Sequence, residues 1–254
     1  MKALYTFLIF ALTFTTLQAQ IDVGIGYNFS LPQQAMGFNI QRAHGASIQA
    51  NYALPNTRWR VGLEMGGAIY GASEERRAYD FSDGSSIEAD VHVTNNICNF
   101  AFNGSYDLAT EGAIIPYLQP KVGLSLFHSD LTIEDPNSDE CELLEDEELL
   151  VDHTFYLGIG AGVRIDLQTA FNKMSTGRYF LDVALSYLRG GNVRYMNADK
   201  STPQGGGAPQ QDQEILTTKV VNQQNKLEHD YHVGWIYNTP LRMAEVRVGL
   251  LMRF

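Results

Sequence analysis

Three groups of residues have types and spacing that could do chemistry. The first is His128-Ser129-Asp130. A base beside a hydroxyl is how a serine nucleophile is activated. These three fall in a run that alternates like a strand, however, where neighbours point to opposite faces. His128 and Ser129 would then not meet, and the His-x-Ser spacing that would align them is absent. A histidine at the rim of a strand is the simpler reading. The second group is acidic: Asp135, Asp139, Glu140, Glu142, Glu145, Asp146, Glu147 and Glu148. Carboxylate oxygens suit Ca²⁺, yet the regular Asp-x-Asp-x-Asp-Gly spacing is missing. The run reads as a solvated, self-repelling segment, and no metal or cofactor is assigned. The third group is dispersed: Asp22, Arg58, Arg60, Glu64, Lys121, Arg164, Asp182, Glu245 and Arg247. Both signs occur in similar number, each opposite an apolar neighbour. Buried charges persist only when paired and hydrogen-bonded, so these residues are expected to form a charge network on one enclosed face.

The elements that would position this network are strands. From Ala244 to Phe254, alternate residues are apolar, while the other face holds Glu245, Arg247 and Arg253. This is a period-2 pattern. It recurs from Ile21, from His44, from Arg58, from Ile87, from Ile115, from Phe155 and from Tyr179, which makes eight strands. Leu31-Pro32 is expected to end the first strand. Residues 72–85 are polar and read as a loop. At Asn95-Asn96 the apolar phase switches, and a β-bulge in strand four would explain it. Residues 197–238, with Gly205-Gly206-Gly207 and many Asn and Gln, read as a long loop. Within it, 215–221 and 231–237 would extend strands seven and eight.

Residues 1–19, with Lys2, an apolar run and Ala19, read as a secretory signal peptide. Residues 20–254 would then form one barrel domain. No later apolar run approaches the roughly 20 residues that a membrane helix needs. A net charge of −11 argues against nucleic acid. Export would permit a disulfide between Cys98 and Cys141; two separate thiols are the alternative.

Connections alternate between short and long, as in a transmembrane β-barrel with short periplasmic turns and long outer loops. The expected fold is all-β, an eight-stranded antiparallel up-and-down transmembrane barrel. Eight strands leave an interior just filled by side chains, so no open pore is expected. The alternation alone does not say which face is inside. A soluble periplasmic carrier of lipocalin type, with an apolar interior, carries the same pattern.

The signal peptide, the eight alternating strands, glycine-rich 155–166 and terminal Arg253-Phe254 resemble the small outer-membrane barrels of the OmpA transmembrane-domain and OmpX type. Pro116-Tyr117-Leu118 with Gly123 resembles the PorT-like barrels. The resemblance implies a bacterial outer-membrane location. It also implies contact with outer-membrane lipid and lipopolysaccharide, and a terminal aromatic, Phe254, read by the barrel assembly machinery. It implies a non-enzymatic role, structural or binding, exerted through surface loops. Tyr195, Tyr231, Trp235 and Tyr237 are the candidate loop contacts, with interface-belt aromatics as the other reading. No protein partner is named by the sequence. Some barrels of this size modify lipids with Ser and His near the outer rim, so a lipid-modifying enzyme stands as an alternative.

Overall fold

The computed structural model describes residues 20–80, 86–110, 112–134, 143–171, 178–197, 213–221 and 228–254. The expected signal peptide therefore lies outside the described residues, as do Cys141 and the start of the acidic run.

Nine strands and two short helices follow one another: β1 (Gln20–Pro32), α1 (Ala35–Asn39), β2 (Ala43–Ala53), β3 (Trp59–Asp80) and β4 (Ser86–Asp107). Then come β5 (Ile114–Glu134), β6 (Leu143–Asp166), α2 (Leu167–Phe171), β7 (Arg178–Asn197), β8 (Gln213–Val221) and β9 (Glu228–Arg253). Consecutive strands from β1 to β7 pair antiparallel, β7 pairs with β9, and β9 pairs back onto β1. The barrel is closed by these eight. Its stagger can be followed from partner to partner: Gly162, Ala184, Arg247, Asn28, Gly45, Ala68, Ile97, Phe127, Asp152. One circuit returns to β6 ten residues from its start, from 162 to 152. A closed barrel requires such a fixed shear and the strand tilt that goes with it.

The short connections lie at the end that holds both Gln20 and Phe254. Between β2 and β3, Pro55 presets φ and Asn56 takes a positive φ, so that the Thr57 N–H reaches the Leu54 carbonyl. Asp166 caps α2, accepting from the N–H groups of Gln168 and Thr169 at 3.0 and 3.3 Å.

Several expectations are corrected at the other end. Residues 72–80 are strand, as are 145–148, because the β3–β4 and β5–β6 hairpins run on beyond the apolar band. The segment 215–221 does not extend strand seven. It forms β8, which pairs with the outer half of β9. β1 does end at Leu31-Pro32, as expected, whereas β9 runs on through Pro240. β4 carries no bulge. Its odd-numbered residues face inward throughout, from Ala89, Val91 and Val93 to Asn103, Ser105 and Asp107. The apolar residues change face because the surroundings change. Above the band the outside is charged, as Arg76 and Asp90 show, so hydrophobic burial has only the interior to use. The bulge is in β3, where pairing skips Tyr70 between Ile69 and Gly71.

Candidate functional site

The interior is built in layers along the barrel axis. Nearest the short turns, Ile115, Phe180 and Leu251 form a small apolar floor. Above it, Asp22 receives Arg60 at 2.6 Å and the guanidinium of Arg253 at 2.6 and 3.0 Å. Asp107 receives Arg60 at 2.9 Å and Arg164 at 2.6 Å. Arg164 lies over the Tyr117 ring, 4.1 Å from its centroid. Higher again, Lys121 bridges Glu64 at 2.9 Å and Glu245 at 3.3 Å. Arg247 joins Glu64 to Asp182, the latter at 3.0 Å, and the Tyr117 hydroxyl donates to Asp182 at 2.7 Å. Five cations (Arg60, Lys121, Arg164, Arg247, Arg253) thus meet five carboxylates (Asp22, Glu64, Asp107, Asp182, Glu245). Each charge is partnered, the condition on which burying ions is tolerated at all.

The third layer is apolar. α1 folds over the mouth and sends Met36 inward, where it packs with Ile40, Tyr70, Phe127, Tyr195 and Leu241. Asn39 Nδ2 donates to the Tyr195 hydroxyl at 2.8 Å, and Asn197 Nδ2 to the Asn39 carbonyl at 2.7 Å. A further cluster, including Val91, Leu131, Ile133, Met196 and Val233, fills the extension above.

The structure places Asp22, Arg60, Glu64, Lys121, Arg164, Asp182, Glu245 and Arg247 together inside. Arg58 is not among them. It sits in the β2–β3 turn, exposed, because the strand begins only at Trp59. Asp90 is also outside, paired with Arg76. Tyr195 and Tyr237 are corrected too. Both are buried inside the barrel, stacked at 6.0 Å, and offer no loop contact. Trp235 packs against the same interior cluster, and the side chain of Tyr231 lies outside the described residues. Sequence reading missed Asp107, Arg253 and Tyr117. Asp107 reads as a turn residue, while Arg253 is placed by its alternation on the same face as Glu245 and Arg247 and is absent only from the expected charge network. His128 points outward beside Asp130, at 3.5 Å, and Ser129 is fully buried inside. Cys98 carries a free thiol on the outer face.

The outer wall is apolar between the two ends. Ile25, Leu63, Phe155, Leu157 and Ile159 are each between 65 and 73% exposed. Trp59 and Tyr106 pack near the short-turn end with tilted rings, their centroids 5.1 Å apart. Tyr27 and His44 are hydrogen-bonded near the other.

Among solved structures, the chain is similar to a Neisserial surface protein, NspA. The two share 12% identity over 93% of this chain and 97% of that one, with a TM-score of 0.38. It is similar to Ail, the attachment invasion locus protein of Yersinia pestis, solved with the heparin analogue sucrose octasulfate: 11% identity, 94 and 100% coverage, TM-score 0.41. It is also similar to a major outer membrane protein from Thermus thermophilus: 14% identity, 93 and 99% coverage, TM-score 0.47. No family model matches the chain, and no curated protein does. These likenesses are coarse, and the closed registers of the chain itself define its fold, an eight-stranded antiparallel up-and-down β-barrel.

Proposed function

We propose that this chain is an integral outer-membrane β-barrel without a catalytic role, which anchors its outer extension and loops for binding or structural work. One observation carries this reading: the wall is apolar outside and charge-paired inside. A soluble lipocalin-type carrier requires the reverse. In water, a wall bearing Phe155, Leu157 and Ile159 at such exposure would leave a belt of apolar surface far larger than monomers tolerate. In a bilayer the same belt is the favourable one, and the closed ladder leaves no unpaired edge in hydrocarbon. A lipid-modifying role finds no support at His128 and Ser129, which the wall of β5 separates. Phe254, whose N–H bonds the Ile21 carbonyl, is the proposed signal for the barrel assembly machinery.

The test is cell fractionation followed by gel electrophoresis in SDS with and without boiling. Recovery in the outer membrane with faster migration when unboiled is the expected result. A protein found in the soluble periplasm with heat-independent migration would overturn the reading.

A further inference from the structure

β1 and β9 are the first and last strands, so their pairing closes the circuit and its register fixes the shear of the whole barrel. On the outer face of this seam the partners are Val23–Met252, Ile25–Leu250, Tyr27–Val248 and Phe29–Val246. All are apolar. A slip of one residue would turn every side chain to the other face and is strongly opposed. A slip of two leaves each face as it is. Val23 would then meet Leu250, or Ile25 would meet Met252, with the same apolar character. The outer face does not choose between these registers.

Most of the inner face chooses no better. Gly24 and Gly26 stand opposite Leu251 and Gly249, and one of the two slips only moves Leu251 from Gly24 to Gly26. Glu245 and Arg247 make their ion pairs across the lumen or with β7, with Lys121, Glu64 and Asp182, and none with β1. One pair differs. Asp22 and Arg253 are register partners, and two guanidinium nitrogens meet the carboxylate at 2.6 and 3.0 Å. The side chains are 1% and 6% exposed. Among the described residues this is the only ion pair between β1 and β9. A fork of this kind is directional. Arg60 of β3 holds the same carboxylate at 2.6 Å, so Asp22 is not free to follow Arg253 along the seam. A slip of two residues would carry Arg253 about 7 Å along the strand and break the fork.

We propose that Asp22 and Arg253 form a latch that sets the closing register, and through it the shear and tilt of the strands and the width of the lumen. The closed latch brings Glu245 and Arg247 to the level of Lys121 and Glu64. Without it, circuits two residues longer or shorter than the observed ten become populated. This rests on the closed registers and not on the membrane reading.

The experiment is disulfide cross-linking of the folded barrel in detergent, with Cys98 and Cys141 replaced by Ser. Val23→Cys with Met252→Cys reports the observed register. Ile25→Cys with Met252→Cys, and Val23→Cys with Leu250→Cys, report the two slips, because diagonal neighbours lie too far apart for a disulfide. Arg253→Met is then added to each. It leaves Asp22 paired with Arg60, so no charge is stranded. The expected result is a rise of about tenfold in one slipped cross-link, the effect of losing a charged hydrogen-bond pair. Arg253→Lys should reverse most of it. Gly162→Val, which strains the barrel away from the seam, should cause none. Unchanged cross-links in Arg253→Met overturn the proposal. An equal rise in Gly162→Val also overturns it, by assigning slippage to a general loss of stability. Unboiled gel migration identifies folded protein, and Arg253→Gln takes the place of Arg253→Met should that variant fail to fold.

Discussion

Asp107 shows what a single side chain does in this interior. It is the carboxylate partner of Arg164, and it shares Arg60 with Asp22. Replacing it with Ala strands the Arg164 guanidinium in a buried site. The expected loss is about 3–5 kcal/mol, the cost of leaving an uncompensated buried charge, measured by urea unfolding of the refolded barrel. Asp107→Ala combined with Arg164→Met should recover most of it, because an absent pair costs less than a broken one. Arg58→Ala is the control. Exposed in a turn, it should change stability by less than about 0.5 kcal/mol. Equal losses for Asp107→Ala and Arg58→Ala would mean that the lumen network contributes nothing to stability.

At the scale of the element, the glycines of β6 explain their own presence. A Cβ on Gly162 would fall 2.5 Å from the Tyr117 ring and 2.7 Å from the Val183 carbonyl oxygen. Gly162→Val should therefore cost about 1–3 kcal/mol by overpacking, read in the same unfolding assay. A loss near zero would show that the ring can move aside. The β3–β4 hairpin has a different weakness. Above the apolar band it is held on its outer face by Arg76, whose two nitrogens each reach an Asp90 oxygen at 2.6 Å. That bidentate hydrogen bond holds the Asp90 carboxyl below its ordinary value. The stabilisation is present above the ordinary aspartate pKa of about 3.9 and is lost as pH falls through the lowered one. Amide protection factors in residues 72–80 and 88–93 should drop in that acid window while those of β1 and β9 hold. The drop should vanish in Asp90→Asn; a drop of equal size in that variant would assign it to another group.

At the scale of the whole molecule, the lumen is closed three times over. Phe180 and Leu251 lie at the bottom, the paired charges in the middle, and Met36 with the Tyr70, Phe127 and Tyr195 rings at the top. An eight-stranded barrel is narrow enough for side chains to fill it. Planar-bilayer recordings of the purified protein should show no stable unitary conductance. Discrete, reproducible steps would mean that α1 and its Met36 swing clear of the mouth.

What the sequence determined by itself is the periodic part of this protein. Alternation marks strand and face wherever one side is apolar and the other is not, so Glu64, Lys121, Arg164 and Arg247 could be assigned to one enclosed face from spacing alone. The turn at Pro55-Asn56 was equally legible, since its chemistry is local. Tertiary structure decided what depends on surroundings. The apolar phase switch in β4 is identical in sequence whether a strand bulges or leaves an apolar band, and only the inward facing of Val91 and Val93 separates the two. Arg58 alternates like a lumen residue, but the turn ends one residue later. Tyr195 and Tyr237 read as surface aromatics because their segment is rich in loop formers. They are interior because the hairpins continue past the apolar band to where the outer face is charged, which leaves the inside as the place to bury a ring.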